Sequence, residues 1–176
     1  MKSQNFEFLR ARHGIVADLG GFAEAYAHSD PGSALLKLRT VIEIMVGDIF
    51  DAYRLTRPFS ENLNDLLTDE GFRQAVPEIV LEKLHAVRKA GNAAAHSVKK
   101  VLTPALALER LQATYDVAVW FHLQIDHGDR AACPPYQAPP PNVAGNAKAR
   151  EALEKLRLAE ARYEALLADL AEERKK

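Results

Sequence analysis

The chain has 176 residues and a mass of 19.5 kDa; 48% of residues are hydrophobic, 27% are charged, and the formal net charge is −1. These values suit about one ordinary domain with an appendage. They exclude a wholly basic nucleic-acid coat and an acidic disordered chain. The single cysteine, Cys133, excludes a disulfide framework and a cysteine-rich zinc module. A lone thiol fits a reducing cytosol, so a cytoplasmic location is expected. The opening MKSQNFEFLRARHG mixes charges and has no apolar run, unlike a signal peptide. No stretch is long and apolar enough for a membrane span, so no membrane partner is expected.

Taken in chain order, the apolar periodicity predicts helices throughout. Phe8, Ile15, Leu19, Phe22 and Tyr26 form one face over residues 6–27. A second helix, over 31–54, carries Leu35, Leu38, Ile42, Met45, Ile49 and Tyr53. A short helix over 60–68 carries Leu63, Leu66 and Leu67, with Ser60 as its expected cap. A fourth, over 77–97, carries Val80, Leu84, Val87, Gly91 and Ala95. A fifth, over 104–126, carries Leu108, Leu111, Tyr115, Ala118 and His122. Pro31, Pro58, Pro77 and Pro104 each stand just before one of these patterns, where a missing N–H does no harm. Asp30-Pro31 and Thr103-Pro104 read as cap and first-turn pairs. No alternating strand pattern appears. The expected fold is an all-α bundle of about five helices over residues 1–127.

Beyond the bundle, CPPYQAPPP concentrates Pro134, Pro135, Pro139, Pro140 and Pro141 in one stretch. Residues 128–146 therefore read as a semi-rigid proline-rich linker. Residues 147–176 then read as a coiled-coil-like helical tail. Leu153, Leu156, Tyr163, Leu167 and Leu170 make a seam interrupted by Glu160. Such a stripe favours a partner helix, so a homodimer is expected.

The segment HAVRKAGNAAAH contains the sharpest constellation. His85, Arg88, Asn92 and His96 step by three, four and four, which stacks them along one helical stripe. Gly91 among alanines points to a close helix approach, because glycine costs about 1 kcal/mol against alanine inside a helix. Arg39 and Glu43, one turn apart on the second helix, are natural partners for the stripe. The stripe reads as a buried network with Glu43 neutralising an arginine. The alternative is a phosphate grip by Arg88 with His96 moving protons. Other candidates are weaker. His122 and His127 do not share a helix face, so no metal site is expected. His13 and His28 stand alone, Trp120-Phe121 reads as core, and Lys99-Lys100 reads as a solvated loop. Cys133 has no companion base.

The strings DPGSALLKLRTVIE and LHAVRKAGNAAAH resemble an α-helical domain family of unknown function within the HEPN superfamily. The opening SQNFEFLRARHGIVADLGGFAEAYAHSDPGSALLKLR resembles the N-terminal region of type I restriction endonuclease R subunits and related DEAD/DEAH-type helicase proteins. The resemblance covers residues 3–127. It implies an accessory domain for assembly, regulation or nucleic-acid contact, with other subunits of a restriction complex, DNA or RNA as partners. It also implies an alternative: a metal-independent ribonuclease using Arg88, Asn92 and His96. HEPN ribonucleases place four to six residues between the arginine and the histidine, whereas seven separate Arg88 from His96. No phosphate-binding G-x-x-x-x-G-K-[ST] loop and no nuclease carboxylate cluster is present, so the segment itself is expected to be non-catalytic and to need no cofactor.

Overall fold

A computed structural model describes residues 1–96, 101–141 and 147–173. All regular elements among them are helical. A 3-10 turn, Glu7–Leu9, leads into α1 (Gly14–Tyr26). Then follow α2 (Pro31–Ala52), α3 (Leu63–Thr68), α4 (Glu70–Ala75), α5 (Glu78–His96) and α6 (Pro104–Gln124). A second 3-10 turn, Arg130–Ala132, precedes α7 (Ala147–Glu173). The chain divides into two compact units, Met1–Pro140 and Pro141–Lys176.

The helix starts follow their caps. Asp30 accepts from the Ser33 amide at 3.1 Å with Pro31 in the first turn. Thr103 accepts from the Leu106 amide at 3.2 Å ahead of Pro104. Each satisfies an amide that the helix leaves orphaned. Three boundaries differ from expectation. The chain near residue 10 does not continue one long helix; α1 begins at Gly14, after a turn in which His13 N–H donates to the Leu9 carbonyl. The short third helix is capped by Asn62, which accepts from the Asp65 amide at 3.0 Å, and Ser60 instead accepts from Asn62 at 2.7 Å. Asp69 starts a further short helix, α4, by accepting from the Phe72 amide. At the end of α2, Arg54 turns left-handed (φ 52°). Its amide reaches Asp51 O and the Leu55 amide reaches Phe50 O, the paired bonds of a Schellman close.

The core is organised on α2, which packs against α1, α5 and α6, while α5 also packs against α6. Leu35, Leu38, Val41, Ile42, Met45, Val46, Ile49 and Phe50 of α2 are buried. That set occupies more than one face, as a helix with neighbours on several sides requires. Tyr53, expected in the stripe, is 39% exposed because it caps the helix outside the packed length.

Residues 129–140 of the proline-rich stretch lie against the bundle. Cys133 is buried. The Tyr115 hydroxyl donates to the Pro134 carbonyl, and Asn5 and Gln137 bond twice, at 2.8 and 2.9 Å. His28 Nε2 meets the Pro139 carbonyl at 2.8 Å. Proline carbonyls remain strong acceptors although proline has no donor, so the segment is held by side chains of the bundle. The expected tail helix is present as α7. The side chains of Leu153 and Leu170, and Lys99-Lys100 entirely, lie outside the described residues.

Candidate functional site

The stripe His85, Arg88, Asn92, His96 is carried by α5 as its spacing requires. His85, Arg88 and Asn92 are half-buried, and His96 is exposed at the last residue of the helix. Behind it, Gly91 meets α2 directly. A Cβ at Gly91 would lie 2.5 Å from Arg39 Cβ and 2.8 Å from Arg39 Cδ, so the glycine permits the α2–α5 approach. Arg39 pairs with Glu43 along α2 at 2.9 Å. Glu43, expected to neutralise the stripe, is thus engaged by its own helix neighbour. Among the described residues Arg88 makes no ion pair or side-chain hydrogen bond, and its Nε is buried without an acceptor.

Arg88 lines a groove of about 820 Å³ formed by the end of α3, α4, α5, α6 and the chain entering α6. The cationic wall consists of Arg73 from α4, Arg88 and Lys89 from α5, and Arg110 from α6, with the His85 imidazole beside them. Leu81, Ala90, Leu102 and Leu106 supply an aliphatic floor. Asn92 and His96 do not line it. Burial lowers the His85 pKa, and the positive charges of Arg88, Lys89 and Arg73 lower it further. His85 is therefore a neutral imidazole at neutral pH.

A second cluster was not legible as one in the sequence. His13, at the start of α1, places Nε2 2.9 Å from Asp126 and Nδ1 3.3 Å from Asp48 of α2. Arg12 donates to the Asp126 carbonyl at 2.9 Å, and His122 Nδ1 lies 3.7 Å from the Asp126 carboxylate. Only the His122–Asp126 spacing, one helical turn, was visible in advance. Both nitrogens of His13 face carboxylates, which leaves no ring position for a substrate proton. The cluster is a clamp tying α1 to α2 and to the end of α6. Burial raises the Asp48 carboxyl pKa, with His13 opposing. Among the described residues no set of three His, Cys, Asp or Glu side chains is arranged to hold a metal. Burial also pushes up the Cys133 thiol, away from nucleophilic chemistry.

Among the described residues the elements form an all-helical bundle with one groove walled by basic side chains. The chain belongs to the family described as a domain of unknown function, DUF4145, whose model matches residues 22–118. It is also similar to the type I restriction enzyme EcoKI endonuclease subunit of Escherichia coli (strain K12), with 30% identity over 122 residues. That alignment covers 69% of this chain and 10% of the subunit, so the chain spans about a tenth of that relative's length. No solved structure gives a significant match. Among the described residues no helix is long and apolar enough to cross a membrane.

Proposed function

We propose that this chain is a HEPN-like accessory domain of a type I restriction endonuclease-like protein, acting in assembly, regulation or nucleic-acid contact and not itself catalytic. The observation that carries this reading is the alignment to the EcoKI endonuclease subunit: most of this chain corresponds to a small part of a large subunit. The helical bundle and its groove supply a binding surface, and the sequence holds no nucleotide-hydrolysis loop. Its setting is a cytoplasmic complex, with other subunits or a second copy of the chain as partners and DNA or RNA as ligand. The pure chain is expected to show no ATP hydrolysis and no metal-dependent DNA cleavage. Either activity, tracking with the protein through purification, overturns the proposal.

The second reading is a metal-independent ribonuclease with Arg88 on the phosphate, Asn92 positioning and His96 moving protons. What favours it is the uncompensated Arg88 guanidinium on the same helical stripe as His96. What opposes it is reach. Eight residues of helix put the two Cα atoms about 12 Å apart along the axis, too far for one phosphate within one chain. Labelled RNA incubated in EDTA with wild type and His96→Ala separates the readings. No cleavage, or equal cleavage, removes the ribonuclease.

A further inference from the structure

The groove between α4, α5 and α6 gathers Arg73, Arg88, Lys89 and Arg110 on its lining. Outside the groove Arg10 pairs with Glu7 and Asp18, Arg39 with Glu43, and Arg57 with Asp51 and Glu61. Among the described residues, Arg73, Arg88 and Lys89 have no ion pair, although Glu78 and Glu82 line the same groove. Arg110 pairs with Glu109 through Nη1 at 2.8 Å, yet its Nε, like that of Arg88, is buried without an acceptor. Buried donors left unmade are costly, so a site that leaves two of them on one wall is matched to an acceptor from outside.

The rest of the lining selects among anions. The floor is aliphatic, from Leu81, Ala90, Leu102 and Leu106, and Val101 at its edge is 86% exposed. Among the described residues no Phe, Tyr or Trp lines the groove, which therefore gives bases no aromatic platform to stack on. Glu78 and Glu82 stand one to three turns before His85, Arg88 and Lys89 on α5. A uniformly charged phosphate backbone would be repelled at that end, whereas a peptide places its charges selectively. Apolar side chains fit the floor, and carboxylates fit the arginine forks.

We propose that this groove docks an acidic, leucine-bearing helical segment of a partner protein. The proposal rests on the accessory reading above and names the partner's chemistry. The helix would lay its apolar face on the floor, with its carboxylates against Arg73, Arg88, Lys89 and Arg110. Charge complementarity of this kind sets specificity and encounter rate, so binding weakens with salt.

The test is selection of a random helical-peptide display library on the full-length chain. Arg73 and Lys89 are exposed, so the double variant Arg73→Glu/Lys89→Glu keeps the fold, which circular dichroism verifies. The expected result is enrichment of peptides bearing leucines at helical spacing and flanking Asp or Glu. These peptides should bind the double variant at least about tenfold more weakly. Failure to enrich, or equal binding to the variant, overturns the proposal. So does displacement of the peptides by a short oligothymidylate whose own binding needs Arg73 and Lys89, which would assign the groove to nucleic acid. RNA cleavage by the chain in EDTA would instead remove the accessory reading and leave the peptide result standing.

Discussion

Asn5 and Gly91 show how single residues set this structure. Asn5 is fully buried and polar, yet fully used. Its side-chain amide donates to Glu24 at 3.0 Å and to the Gln137 carbonyl at 2.9 Å, and its oxygen accepts from the Gln137 amide at 2.8 Å. Glu24 also accepts from Ser3 Oγ and from the Gln4 and Asn5 amides, so one carboxylate organises the start of the chain. Asn5→Ala removes three of these bonds and strands buried partners, so a loss of about 2 kcal/mol is expected in urea unfolding. At Gly91 two effects oppose. Alanine gains about 1 kcal/mol of helix propensity. Its Cβ, however, would sit 2.5 Å from Arg39 Cβ, a backbone-proximal atom that cannot swing aside. Overpacking of this kind costs about 1–3 kcal/mol, so Gly91→Ala is expected to destabilise by about 1 kcal/mol net, read from the same unfolding curves. A stabilised variant would mean that α2 and α5 separate freely.

Among the elements, the proline-rich segment departs most from its composition. Over residues 129–140 it is tied to the chain start through Asn5 and to α6 through Tyr115 and Tyr136. Burial, with Glu24 and Asp116 nearby, pushes the Tyr136 hydroxyl up to about 12. An unfolded tyrosine ionises near pH 10. Below that value both states hold the proton and the contribution is intact. As pH rises from about 10 towards 12, the unfolded chain releases its proton first and stability falls. Tyr136→Phe should flatten the decline of melting temperature between pH 9.5 and about 11. Tyr115, also raised by burial, keeps a residual slope. An unchanged slope in Tyr136→Phe would show that the hydroxyl is solvated and that the segment is loosely held.

For the whole molecule, the division at Pro140–Pro141 leads to a truncation experiment. Residues 1–140 contain the bundle, its clamp and the held proline segment, so this fragment is expected to melt within a few degrees of the full chain. A fragment cut before residue 129 loses the Asn5–Gln137 and Tyr115–Pro134 bonds and is expected to melt lower. The tail addresses association. Helices in proteins draw most of their stability from packing an amphipathic face, and the Leu156–Tyr163–Leu167 spacing of α7 suits a partner helix. We expect light scattering to give a dimer for residues 1–176 and a monomer for residues 1–140. Dimers for both would place the contact in the bundle, and two monomers would remove the dimer.

Apart from the short α4 and the late start of α1, which helices form, and nearly where, was legible in the sequence. Asp30-Pro31 and Thr103-Pro104 act through bonds spanning three residues, and apolar spacing reports a face that the backbone period imposes. Gly91 announced a close approach because glycine inside a helix needs a reason. That its neighbour is Arg39 depended on how α2 and α5 cross. The stripe on α5 was visible, yet the groove was not, because Arg73 and Arg110 join it from other helices. His13 meets Asp126 across 113 positions, and Asn5 meets Gln137 across 132. No local pattern encodes such pairs. Caps, turns and periodicity are short-range properties of the backbone and were readable one segment at a time. The clamp, the held proline segment and the shared charge of the groove exist only once α2 has gathered its neighbours, because burial and proximity in space decide which polar groups must find one another.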